Sequence, residues 1–414
     1  MTRYQEITGR INYLLFLAVV ALLPFPQTPL RYALVLWAVS WLLEGRWLHR
    51  PASPRTNKMI IPFLLFGLWY GWKAVSGLWA PDHAAWGSQM ERCMTFALVV
   101  PIALWGVNRY YDWRTAGKVL VYSCLIAVPF YIITLTVFYH HPELATIAHG
   151  RMEWNYNLPN WHLFVSDNIS VLKHRLFLCS VELFGACIAC QLWKNKWRVL
   201  LPALAVMVST IPLTGSRQSV LTAAALLAVG ILYAFPRPMR WKYGAGVLLL
   251  VMVLGGLVLK MHPRMQDVHL SDIGQIREIS TEHNVRFNIW GAALQNPSDY
   301  LLYGLGGGQS REYIYEIFHE KGYSYGGEQH FHPHNQYLTE AMEIGIFGLF
   351  LFLAAWASIS LCASGKGKKT AVLMTVLFMM NMFTDCMFAS FCGIALWAVG
   401  MLFIFLQSDA QSEQ

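Results

Sequence analysis

The chain has 414 residues, 56% of them hydrophobic and only 13% charged, with a formal net charge of +8. Soluble globular proteins carry roughly a quarter charged residues, so this composition excludes an ordinary cytosolic enzyme. The mean hydropathy of +0.40 asks for lipid as the solvent, and the basic residues form no single patch that would suit a nucleic acid.

A helix needs about 20 apolar residues to cross a bilayer. Apolar runs broken by charge predict an all-α polytopic membrane protein with about 12 transmembrane helices. In chain order the runs cover 11–24, 32–43, 59–78, 93–107, 119–138, 176–193, 199–213, 219–235, 243–259, 336–361, 370–387 and 391–406. The first run follows Arg3 and Arg10 but precedes Pro24-Phe25-Pro26 rather than a small-residue cleavage site, so it is expected to be a retained span. All eight cysteines fall in or beside these runs, which gives no disulfide framework; Cys187 and Cys190 sit inside an apolar helix as small buried residues.

Basic residues gather on the cytoplasmic side of short loops. With the amino terminus inside, 18 of the 31 Lys and Arg residues fall on inner segments, among them Arg46, Arg50, Arg55, Lys58, Arg109, Arg114, Lys118, Lys194, Lys196 and Arg198. Both termini are therefore expected to be cytoplasmic. Two outer loops exceed what a connection needs. One lies near 139–175 and holds Glu153, Trp154, Trp161, His162 and Asp167; the other, at 260–335, is a large, partly helical loop between spans 9 and 10. One integral membrane domain then divides into spans 1–9 (1–259), the large loop (260–335) and spans 10–12 with the tail (336–414). Inside the large loop, Arg286 to Leu294 fits one amphipathic helix stopped by Asn296-Pro297.

Three features mark the outer face. Thr214-Gly215-Ser216-Arg217-Gln218-Ser219 forms a tight turn between two apolar runs, and a guanidinium there either snorkels to headgroups or faces an aqueous cavity. Arg286 precedes Trp290 by four residues on the loop helix, where it is either a solvated face or a site. His330-Phe331-His332-Pro333-His334-Asn335 stands immediately before an apolar helix. That histidine run suits a metal, a structural helix start, or a general base that titrates near working pH. No cysteine or obvious carboxylate completes a ligand set, so no metal is expected. Between these features, Gly304-Leu305-Gly306-Gly307-Gly308 allows backbone to approach a ligand closely, without the GK[ST] of a nucleotide loop.

Arg286, Trp290, Ala293, Pro297, Gly304 to Gly308, His334-Asn335 and Gly345-Ile346-Phe347-Gly348, in this order and spacing, resemble the O-antigen ligase and polymerase superfamily. The resemblance implies a glycosyltransferase on the periplasmic face of the bacterial inner membrane, multi-pass, with its site in the periplasm. It implies transfer of an O-antigen glycan from undecaprenyl diphosphate to a sugar hydroxyl of the lipid A–core, with inversion, without ATP, metal or other cofactor. By position it assigns His334 as the base and Arg217 and Arg286 to the diphosphate. Asn335, His332, Gly306 and Trp290 are expected to support them. The partners expected are the lipid-linked donor, the lipid A–core acceptor and membrane lipids, with no nucleic acid. An O-antigen polymerase or a protein O-oligosaccharyltransferase would use the same donor. A lipid or sugar transporter is a more remote alternative; it predicts internal repeats and mid-membrane charge, whereas Lys73 and Glu340 read as lying near span ends, with Glu343 the main exception.

Overall fold

The computed structural model describes residues 3–45, 47, 58–105, 107–149, 154–156, 158, 160–234, 285–320 and 330–409, with isolated positions between 245 and 256. Among these the regular structure is entirely helical. Six helices are long and apolar enough to cross a membrane: Arg3–Leu22, Trp113–His140, Arg175–Leu192, Trp197–Thr214, Gln336–Cys362 and Phe391–Ser408. Of the other expected spans, those at 32–43, 59–78, 93–107, 219–235 and 370–387 also coincide with helices, but these helices are shorter, less apolar or more charged. The ninth, at 243–259, lies almost entirely outside the described residues. The structure thus supports an all-helical membrane protein, with six helices of spanning length and hydropathy among the described residues.

The chain divides into two compact units, each assembled from two stretches of sequence. The first comprises Met1–Ala52 and Val107–Arg264. It holds α1 (Arg3–Leu22), α2 (Gln27–Glu44), α5 (Trp113–His140), α6 (Pro142–His149), α7 (Trp161–Leu172), α8 (Arg175–Leu192), α9 (Trp197–Val208), α10 (Thr210–Thr214) and α11 (Arg217–Ala234). The segment expected as an outer loop at 139–175 is therefore largely helix. Asn160 starts α7 by accepting from the Leu163 amide at 3.0 Å. Phe164, Val165, Ile169 and Leu172 then bury one face of α7 against Ala127, Tyr131 and Leu135 of α5. Two buried polar contacts fix the turn after α1: Tyr131 Oη donates to Pro24 O at 2.9 Å, and Lys173 Nζ donates to Leu23 O and Phe25 O at 2.6 and 2.8 Å.

The second unit comprises Ser53–Gly106 and Met265–Gln414. It holds α3 (Ile60–Val75), α4 (His83–Trp105), α12 (Val285–Ala293), α13 (Ser310–Glu320), α14 (Gln336–Cys362), α15 (Gly365–Met382) and α16 (Phe391–Asp409). The loop helix expected from Arg286 to Leu294 is α12. The core of this unit is aromatic: Phe66, Trp69, Phe96, Phe388 and Trp397 meet at ring separations from 4.2 to 6.5 Å. Outside it, Ile289, Ala292 and Ala293 of α12 pack with Ile314 and Phe318 of α13 and with Ala341 and Met342 of α14. Three helices of different hydropathy thus share one apolar seam, and the seam brings the loop helices onto the start of α14.

Candidate functional site

The site is built around a helix that breaks. Hydropathy reads 336–361 as one span, but Gly345 has φ 69° and ψ −174°, outside any helical region. A break inside an apolar environment releases backbone groups that must find partners. Each does. Leu305 N donates to Met342 O at 2.8 Å, Gly306 N to Glu343 O at 2.9 Å, and Trp72 Nε1 to Ile344 O at 3.0 Å, while Ile346 N donates to Leu301 O at 2.7 Å. The glycine-rich stretch supplies these bonds because it lies against other backbone. A Cβ on Gly306 (φ 100°) would stand 2.6 Å from the Cα of Ala80, and one on Gly345 would stand 2.6 Å from the carbonyl oxygen of Leu302. Gly307 N donates to Ser76 Oγ at 2.9 Å. The close approach expected of Gly304 to Gly308 is thus made to the protein's own chain, and Gly306 holds the broken helix.

The first half of α14 begins at Asn335, whose side chain accepts from the Leu338 amide at 3.0 Å. The asparagine of the His334-Asn335 pair is therefore a helix cap. His334, just before it, has φ 48°, the one positive value among the described non-glycine residues. Such a conformation costs about 1 kcal/mol or more and persists where the surroundings fix it. Here they do: Trp290 Nε1 donates to Pro333 O at 2.8 Å, and the His334 amide donates to His332 Nδ1 at 3.2 Å. The amide bond makes Nδ1 of His332 an acceptor, so in neutral His332 the proton sits on Nε2. The two imidazoles lie 4.0 Å apart.

Turned this way, His334 points its Nδ1 toward Asp385, 3.6 Å from Oδ1. That is ion-pair range rather than a hydrogen bond, and the nitrogen is buried with no hydrogen-bond partner. Asp385 lies in the short connection between α15 and α16 and accepts from the Cys386 amide at 2.8 Å. The connection is bound to the start of α14: Gln336 Oε1 accepts from Phe388 N at 2.8 Å, and Thr339 Oγ1 meets Cys386 Sγ at 3.1 Å. Cys386 is buried there and packs against Thr339. Trp290 also packs edge-on against Phe383 at 5.7 Å, so α12 touches both sides of the His–Asp pair. Arg286, one turn before Trp290 on the same helix face, is exposed. His332, His334 and Asp385 each offer a ligand atom within 4.8 Å of the others, the carboxylate that the sequence reading did not find.

Beneath this pair lies a buried ionic cluster. Lys73 Nζ stands 3.1 and 3.2 Å from the two oxygens of Glu340 and 3.2 Å from Glu343 Oε2. Glu340 also accepts from Trp69 Nε1 at 2.9 Å and Gln336 Nε2 at 2.6 Å; Glu343 accepts from Ser310 Oγ at 2.8 Å and Gln89 Nε2 at 2.5 Å. Lys73, Glu340 and Glu343 are at most 2% exposed. Lys73 lies in the last turn of α3 and Glu340 in the second turn of α14, near helix ends as expected, but both turn inward; an apolar run with a charge near its edge looks the same whether that charge faces outward or inward. Gln336 joins the cluster to the Asp385 connection, since it bonds Glu340 with its amide and Phe388 with its carbonyl oxygen.

Arg217 belongs to the first unit. Gly215 (φ 60°) ends α10, Ser216 starts α11 with its hydroxyl 2.7 Å from Ser219 Oγ, and Arg217 is the exposed first residue of that helix. The turn expected from Thr214 to Ser219 is therefore present. The structure brings together His334, His332, Asn335, Trp290 and Gly306, all of the second unit.

Fold and site define a helical membrane protein with a polar site at the mouth of a broken helix. Residues 202–353 match the family model described as O-Antigen ligase, and this match supports the O-antigen ligase superfamily. The matched segment contains Arg217, Arg286 and His334, and ends before Asp385. No curated protein matches the chain.

Proposed function

We propose that the protein is an O-antigen ligase: it moves a glycan from undecaprenyl diphosphate to a sugar hydroxyl of the lipid A–core, at the periplasmic face of the inner membrane. The observation that carries this reading is His334, fixed in a strained conformation beside Asp385 within the segment matching the ligase family. The acceptor hydroxyl must lose a proton as it attacks. Imidazole is suited to take it, and a carboxylate on the far nitrogen orients the ring and stabilises its charged form. The 3.6 Å separation is expected to shorten when substrate excludes water. Asp385 is thus the positioning residue of His334.

The leaving group is a diphosphate on which negative charge grows as the glycosidic bond breaks. Arg217 and Arg286 hold it by charge-assisted, bidentate hydrogen bonds, which strengthen toward the transition state. Direct displacement inverts the anomeric centre, and the donor supplies the energy. His332, Asn335, Trp290 and Gly306 keep His334 in place. Twelve spans with both termini cytoplasmic complete the reading, supported by the basic residues of the inner loops.

The test supplies purified protein in liposomes with lipid-linked glycan and rough lipopolysaccharide. Ligated lipopolysaccharide is the expected product. Glycan growth on the carrier lipid alone would replace this reading by a polymerase, and no product from either donor or acceptor would overturn it.

A further inference from the structure

The carboxylate that the histidine run lacked in the sequence arrives from the connection between α15 and α16. His332, His334 and Asp385 place one ligand atom each within 4.8 Å, two nitrogens and one oxygen. This donor set suits a transition metal of the zinc class; magnesium and calcium prefer oxygen throughout. Donors around a tetrahedral zinc, with bonds of about 2.0–2.2 Å, lie roughly 3.3–3.6 Å apart. The His334–Asp385 edge, at 3.6 Å, already meets that spacing, and His332 has about an ångström to move.

A second observation points to a ligand at the same place. Nδ1 of His334 is buried without a hydrogen-bond partner. A buried polar atom left without a partner is destabilising, so the position favours any group that satisfies it. The three side chains are also held from behind by the Trp290–Pro333, Gln336–Phe388 and Asp385–Cys386 bonds. Such support orients metal ligands as readily as it orients a base.

We propose that His332, His334 and Asp385 form a site for a zinc-class divalent ion, and that the ion acts as an inhibitor. Bound metal takes the imidazole that would accept the acceptor proton and the carboxylate that orients it. The inhibitory consequence rests on the proposed role of His334; the binding itself does not.

Full-length protein in detergent is titrated with ZnCl2 by calorimetry, and with Co2+ as a spectroscopic substitute. One equivalent is expected to bind, with the visible bands of four-coordinate cobalt. His332→Gln and Asp385→Asn are each expected to weaken binding at least about tenfold. His330→Gln and His141→Gln, which alter the exposed His330–Glu312 and His141–Glu143 pairs, are expected to leave it unchanged. Should Asp385→Asn fail to fold, His332→Gln decides. Equal binding by the wild type and His332→Gln, or loss of binding in His330→Gln, would overturn the site. In the transfer assay, zinc is expected to inhibit and a chelator to restore activity. Undiminished transfer by zinc-loaded protein would overturn the inhibitory role while leaving the metal site standing.

Discussion

Lys73→Met tests how the second unit stays assembled. The substitution keeps the length of the side chain and removes the one ammonium that neutralises Glu340 and Glu343, both at most 2% exposed. With the lysine present the cluster carries one positive and two negative groups; without it, two carboxylates share a site that water does not reach. Breaking a buried ion pair by removing one partner costs about 3–5 kcal/mol, because the uncompensated charge stays behind. Some of that cost is expected to fall on the site, since Gln336 links Glu340 to the connection carrying Asp385. The triple variant Lys73→Met/Glu340→Gln/Glu343→Gln removes all three charges while keeping amide partners for Trp69, Ser310 and Gln89. It is expected to recover most of the loss, because replacing a whole buried ion cluster by neutral groups is often close to neutral. Denaturant unfolding of the detergent-solubilised protein measures both. A Lys73→Met protein within about 1 kcal/mol of wild type, or a triple variant no better than the single, would refute the reasoning.

Gly345→Ala is expected to destabilise by about 2 kcal/mol or more, since alanine resists φ 69° and its Cβ would meet the Leu302 backbone; the same unfolding assay checks it. Asp112 caps α5 by accepting from the Arg114 and Thr115 amides at 3.1 and 2.9 Å, and the hydrogen bonds to Thr115 and those amides hold its carboxyl below the usual range despite partial desolvation. Asp112→Ala should therefore cost about 1 kcal/mol or less at this exposed position. The depressed value means that the contribution is present above about pH 4 and fades as pH falls below it, which a comparison of the two proteins at pH 7 and pH 3 measures. Arg217→Lys keeps the charge but not the fork, and is expected to lose at least about tenfold in transfer rate; undiminished turnover would argue against bidentate diphosphate binding.

Hydropathy and helix-stop chemistry made α12 legible, because Arg286 to Leu294 is periodic and Asn296-Pro297 ends it. Most apolar runs likewise fall on helices, since lipid or a helical core rewards the same residues. What stayed hidden is what depends on distant partners. Asp385 gains meaning only because Gln336 and Thr339 hold its loop at the start of α14. The break at Gly345 is invisible to hydropathy, which reads the polar-bearing 336–344 and the apolar residues after Gly345 as one continuous run. Glu340 and Glu343 did carry a signal: two carboxylates three residues apart share one face of a helix, and inside an apolar run they call for a buried cation. In the segment at 139–175, Asn160 followed by Phe164, Val165, Ile169 and Leu172 carried the cap and the apolar face of α7, which its aromatic and polar neighbours masked.

The central claim is that His334 removes the proton of the acceptor hydroxyl. It is tested most directly by the rate of glycan transfer to rough lipopolysaccharide by His334→Ala in liposomes, alongside wild type and a check that both fold alike. Loss of general-base assistance predicts a rate at least about a hundredfold lower. Transfer by His334→Ala at close to the wild-type rate would contradict it.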